Sequence, residues 1–73
     1  MASLRRVAAH EVHVGENTLR QAVVEIYDDR VVNYYEFRDE LPMTEWLGGT
    51  IVLKTNDDGI LQAFKDSRLL ESE

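Results

Sequence analysis

The residues with the right types to do chemistry are few. They are His10-Glu11-Val12-His13, the carboxylate pairs Asp28-Asp29 and Asp57-Asp58, Asp39-Glu40 near Glu45, and the serines Ser3, Ser67 and Ser72. Zinc hydrolases place two His at i and i+4 of a helix, so that both rings face one ion. Here the offset is three, within a run that alternates like a strand, and side chains at that offset point to opposite faces. The pattern predicts one half-buried His and one exposed His rather than a metal pair. Calcium loops need oxygens at alternating positions around a Gly, closed by a bidentate acid. Neither Asp pair has that spacing, and both read as turns. The serines lie near the ends, away from His10 and His13, and Gly48-Gly49 lacks the spacing and Lys of a phosphate loop. A catalytic acid–base pair needs a pocket that perturbs it, for which 73 residues leave little room. The expectation is therefore no catalytic residue, no metal ligand, no cofactor and no enzymatic activity.

The aromatics carry more information. Tyr27, Tyr34, Tyr35, Phe37, Trp46 and Phe64 are many for so short a chain. Some are expected in the core, and the rest either form an exposed patch, which would mark a partner contact, or merely line the core and rim. Tyr27, Tyr35, Phe37 and Trp46 are the candidate interaction surface.

These residues are positioned by strands. In Val23–Phe37, two β-rich runs flank Asp28-Asp29-Arg30, and Val, Ile, Tyr and Phe suit a pleated, half-buried surface. A three-residue loop pairs Ile26 with Val32, Val24 with Tyr34, Glu25 with Asn33 and Tyr27 with Val31, which keeps the faces clean. Arg5–Val14 alternates, and Gly15-Glu16-Asn17 reads as a turn into a second strand, Thr18–Tyr27. A three-residue turn there sets Val12 against Arg20, His10 against Ala22 and Ala8 against Val24. Ala8, Val12, Val24, Ile26, Val32 and Tyr34 then share one inward face.

Pro42 near the start of 38–49 and Gly48 past its end suggest one short helical turn, or a loop with Trp46 folded down as a plug. Thr50–Thr55 and Ile60–Lys65 are strands joined by Asn56-Asp57-Asp58-Gly59, the strongest turn signal in the chain. Both are apolar on two sides, so their buried faces stay open. Residues 66–73 are polar and are expected to fray or form a marginal helix.

Composition adds limits. Lys plus Arg is 8 against 14 Asp plus Glu, a net charge of −6, which disfavours nucleic acid and anionic membranes. There is no Cys, hence no disulfide framework, and a reducing, cytoplasmic setting is expected. No apolar run approaches a membrane span, and His10 and Glu11 end the apolar stretch 7–9 too early for a secretory signal. A core this small supplies about 3–5 kcal/mol, so a homodimer or another protein partner is expected to add stability.

Val23-Val24-Glu25-Ile26 with Asp28-Asp29-Arg30-Val31-Val32, Thr44-Glu45-Trp46-Leu47-Gly48-Gly49-Thr50-Ile51 and Arg6-Val7-Ala8-Ala9-His10 resemble a family of short, uncharacterised bacterial β-rich proteins. The layout is also similar to the small β-domain of amidohydrolase-type metal enzymes. That superfamily's first His-x-His would follow Thr50–Lys54, where this chain has none, so no catalytic residue is implied. The expectation is one all-β domain spanning 1–73: a five-stranded antiparallel meander, twisted or half-open as a barrel, with one helical turn near 42–47. Its ordered core would span about 4–65, with 66–73 as a tail. Its expected role is a non-catalytic interaction or accessory module, or alternatively a small-ligand-binding or enzyme-associated domain with a pocket under Trp46.

Overall fold

The centre of the molecule is a pair of eleven-residue strands, β1 (Leu4–Val14) and β2 (Asn17–Tyr27). The structure is a computed structural model that describes residues 3–39 and 43–72. The turn between these strands is Gly15-Glu16, not three residues, because Val14 pairs with Asn17. Gly15 takes φ +61°, the left-handed value that a two-residue hairpin needs and glycine supplies without strain. The shorter turn slips the expected register by one. Val7 now faces Val24, Ala8 faces Val23 and Ala9 faces Ala22. A one-residue slip exchanges the faces of a strand, so Val7 and Ala9 enter the core in place of Ala8.

Alternation then changes phase within both strands at the same level. Core-facing positions run Val7, Ala9, then Val12 and Val14 in β1, and Ile26, Val24, Ala22, then Leu19 in β2. The irregular residues are His10 and Gln21, the one level at which the ladder is interrupted. Gln21 has φ +49°. Across β1 the interruption continues. β4 (Glu45–Trp46) runs parallel to Val7–Ala8, β5 (Thr50–Thr55) runs parallel to Glu11–Val14, and Gly48-Gly49, both at positive φ, lie between them. Leu47 N–H donates to Ala8 O at 2.8 Å and Glu11 N–H to Gly49 O at 3.1 Å. A line of bulged residues crossing neighbouring strands lets a sheet bend sharply, and here it bends around one core.

The remaining strands are β3 (Arg30–Glu36), β6 (Leu61–Lys65) and β7 (Arg68–Leu69), in the order β3-β2-β1-β5-β6-β7. The fold is thus all-β, one open mixed sheet of seven strands, with no helix among the described residues. The sheet curls until β3 and β6 approach each other. Ser72 N–H donates to Asp28 O, Asp28 N–H donates to Ser72 Oγ, and Gln62 Nε2 donates to Asp29 O.

Several expectations are corrected. The sheet is mixed rather than a five-stranded antiparallel meander, because β1 pairs parallel with β4 and β5. β2 and β3 intervene in the chain between β1 and its first parallel partner, β4, so no crossover helix is required. Pro42 lies outside the described residues; within 43–47 the chain forms β4, not a helical turn. The β2–β3 loop is Asp28-Asp29, with Tyr27 opposite Arg30 and Ile26 opposite Val31. A bulge at Val32 then restores the expected pairs Glu25–Asn33 and Val24–Tyr34. Val32 and Tyr34 are exposed, not core. Residues 66–72 are neither a frayed tail nor a helix: Asp66 and Ser67, both at positive φ, turn the chain into β7, and Ser72 is buried. Ile51, Leu53 and Ala63 are the inward positions of β5 and β6.

The core is aliphatic throughout: Val7, Ala9, Val12, Ala22, Val24, Ile26, Ile51, Leu53 and Ala63. None of the six aromatics is in it, against the expectation that some would be.

Candidate interaction surface

The face of β1 and β2 turned away from this core begins with Ala8 and Val23. They pair with each other, and at 2% and 0% exposure they are as buried as core residues. They do not belong to the core cluster, so their cover comes from the outer side. The register names the flanking side chains. Tyr35 is the partner of Val23 on β3, and Trp46 is the partner of Ala8 on β4. Tyr35, Val23, Ala8 and Trp46 therefore form one row across four adjacent strands, with the two large rings at its ends and small residues between.

Other residues extend the row along the strands. Trp46 stacks edge-on against His10, with ring centroids 4.8 Å apart at 89°, a favoured aromatic geometry. Phe37 lies two residues beyond Tyr35, where its N–H donates to Gln21 O at 2.9 Å. In the other direction Arg6 Nε donates to Glu25 Oε2 at 2.8 Å, and Tyr35 Oη donates to the same oxygen at 3.4 Å. Beyond that pair, Tyr27 lies opposite Leu4, and both are exposed. Of the four sequence-predicted residues, Tyr27, Tyr35 and Trp46 thus lie on one face, and Phe37 follows just past the end of β3. Trp46 is 53% exposed and does not plug the fold.

The polar centre of the face is internally matched, since Arg6 and Tyr35 both serve Glu25. A matched pair can be covered without stranding a charge, whereas an unmatched one cannot. A second ion pair holds β4 in place. Arg5 forks onto Glu45, Nε to Oε1 at 2.9 Å and Nη2 to Oε2 at 3.0 Å, while its Nη1 donates to Glu71 O at 2.9 Å. Hydrogen bonding to Arg5 holds the Glu45 carboxyl below its ordinary value, and the same contact raises the Arg5 guanidinium above its own.

Sequence reasoning missed the floor of the face, because the slipped register placed Ala8 inward, and it missed His10 as the companion of Trp46. The Gly15 turn was the available signal for both. The other candidates separate. His13 Nε2 lies 3.4 Å from Glu11 Oε1. Asp28-Asp29 form the β2–β3 turn. Asp57-Asp58 sit in a turn organised by Asn56, whose Oδ1 accepts from Asp58 N–H and Ile60 N–H. Among the described residues no group of three or more His, Cys, Asp or Glu could hold a metal ion, and no helix is long and apolar enough to cross a membrane. Comparison with family models, with curated proteins and with solved structures finds no match to this chain.

Proposed function

We propose that this chain is a non-catalytic interaction module of the cytoplasm that works through its outer face, and that the partner it meets there is a second copy of itself. The observation that carries the reading is the row Tyr35–Val23–Ala8–Trp46: two deeply covered small residues on the side away from the core, bounded by large rings. One open sheet with an apolar outer face is half of a two-layer arrangement. A self-complementary face satisfies two-fold symmetry directly. Each copy carries a net charge of −6, so the contact must avoid unmatched carboxylates, and Glu25 is matched within its own chain. The resemblance to the β-domain of amidohydrolase-type enzymes supports the same assignment, because it carries over no catalytic residue.

Light scattering and sedimentation equilibrium test the proposal. The wild-type chain is expected to dimerise with rising concentration. The double variant Tyr35→Ser, Trp46→Ser is expected to stay monomeric and folded by circular dichroism. A wild-type monomer at every concentration, or a double variant that dimerises as well as wild type, overturns it.

A further inference from the structure

β4 pairs with β1 alone, whereas β5 has β6 on its other side. The Gly48-Gly49 kink therefore opens a gap between β4 and the β6–β7 hairpin. The gap is a solvent-open cleft of about 480 Å³ lined by Arg5, Leu47, Lys65, Asp66, Arg68 and Leu70. Three of the eight cationic side chains of an acidic protein converge there. Two are already matched, Arg5 by Glu45 and Lys65 by Asp66 at 3.3 Å. Arg68 pairs through its backbone with Lys65, but its guanidinium makes no hydrogen bond or ion pair with any described residue. The cleft thus holds one uncompensated positive charge beside two leucines, Leu47 and Leu70, that pack on the margin of the core.

We propose that this cleft binds a small aliphatic monocarboxylate, its carboxylate on the Arg68 guanidinium and its hydrocarbon body against Leu47 and Leu70. The charge balance selects the class. A single carboxylate neutralises the Arg68 cation, which no described residue matches, whereas a phosphate dianion would leave a negative charge facing Asp66. The guanidinium fork matches carboxylate geometry, and an apolar wall with one oriented polar group is the usual composition of a small-molecule site. The site is distinct from the outer face, since none of its lining residues belongs to the aromatic row.

The test is an NMR titration of the full chain with hexanoate, with 1-hexanol and inorganic phosphate as comparators. Hexanoate is expected to shift the amides of Leu47 and of residues 65–70 saturably, with a Kd of about 1–10 mM. Arg68→Gln is expected to weaken binding about fivefold, the attraction of one unit charge at about 4 Å in a water-like medium. Asp66→Asn supplies the opposite arm. Asn suits the positive φ of position 66, so the turn is retained, and removing the competing carboxylate is expected to tighten binding by a similar factor. No saturable shift with hexanoate overturns the proposal. So does equal binding of hexanol, which would make the cleft merely apolar, or equal binding of phosphate, which would make it a site for charge alone. A loss of affinity in Asp66→Asn likewise contradicts it.

Discussion

Val23 and Val24 are neighbours in one strand, identical in chemistry and both fully buried, yet they are buried by different means. Val24 points into the aliphatic core, where strands on several sides hold it. Val23 points to the outer face, where it is covered by the side chains of flanking residues such as Tyr35 on the adjacent strand. A void behind Val24 is enclosed by the packed core, whereas a void beneath Tyr35 is roofed by a side chain at the surface, held by one long hydrogen bond to Glu25 at 3.4 Å. The cost of a cavity depends on whether its walls can collapse. Equal exposure therefore hides unequal rigidity, and the outer face is the softer of the two.

The largest effects should fall on the core side. Ile51→Ala is expected to cost about 2–5 kcal/mol, enough to unfold much of so small a domain. Val24→Ala removes two carbons at about 0.8 kcal/mol each plus a cavity contribution, about 2–3 kcal/mol in all. Val23→Ala should cost about 1.5 kcal/mol, essentially the transfer part of about 0.8 kcal/mol for each of two carbons with little cavity contribution. Urea denaturation of the three variants measures these values. Equal losses at positions 23 and 24 would mean that the outer face is as rigidly packed as the core.

The closure between Asp28 and Ser72 sharpens the same comparison. Ser72 Oγ accepts from Asp28 N–H where the curled sheet brings its two ends together. Ser72→Ala removes one buried acceptor and should cost about 1 kcal/mol. If this contact keeps the core walls in place, the cost of Val24→Ala shrinks in the Ser72→Ala background, while that of Val23→Ala does not change. A double-mutant cycle reads the coupling directly.

The two regions also differ in how far they could be read from residue order. The all-β class and the positions of β1, β2, β3, β5 and β6 followed from β-rich runs and their alternation; β4, β7 and the outward setting of Trp46 did not, because 42–47 reads as a helical turn or a plug and 66–73 as a tail. The assignment of faces in β1 did not. It turned on whether Gly15 opened a two- or three-residue turn, and one residue exchanges Ala8 for Val7. At β2–β3 the same ambiguity did little harm, because the bulge at Val32 absorbed the shorter loop and returned Val24 to Tyr34. The phase change at His10 and Gln21 carries no local signal. It is imposed by the need to bend three strands at one level, and only Gly48-Gly49 advertises it. The Asp66-Ser67 turn was hidden because neither residue is the Gly or Asn that such positive φ values favour. The cleft was equally hidden, since Arg5 and Arg68 meet only through the parallel pairing of β1 with β4 and β5.

The smallest expected effect concerns the anchor that holds β4, and with it Trp46, beside β1. Arg5 and Glu45 are partly exposed, with 51% of the Glu45 side chain in solvent, so the pair belongs to the range of about 0.2–1 kcal/mol. Its sign with pH follows from direction alone. The Glu45 carboxyl is held below its ordinary value of 4.5, so its folded form binds a proton less readily than its unfolded form. The stabilisation is fully present at neutral pH and is lost as pH falls through the depressed folded value. Glu45→Gln should therefore be slightly less stable than wild type at neutral pH and no less stable at about pH 2–3. Urea midpoints at the two pH values check this. A deficit that persists in acid would show that the fork holds β4 by shape rather than by charge. The outer face would then owe its order to packing around Trp46, and the softness inferred from Val23 would have to be revised.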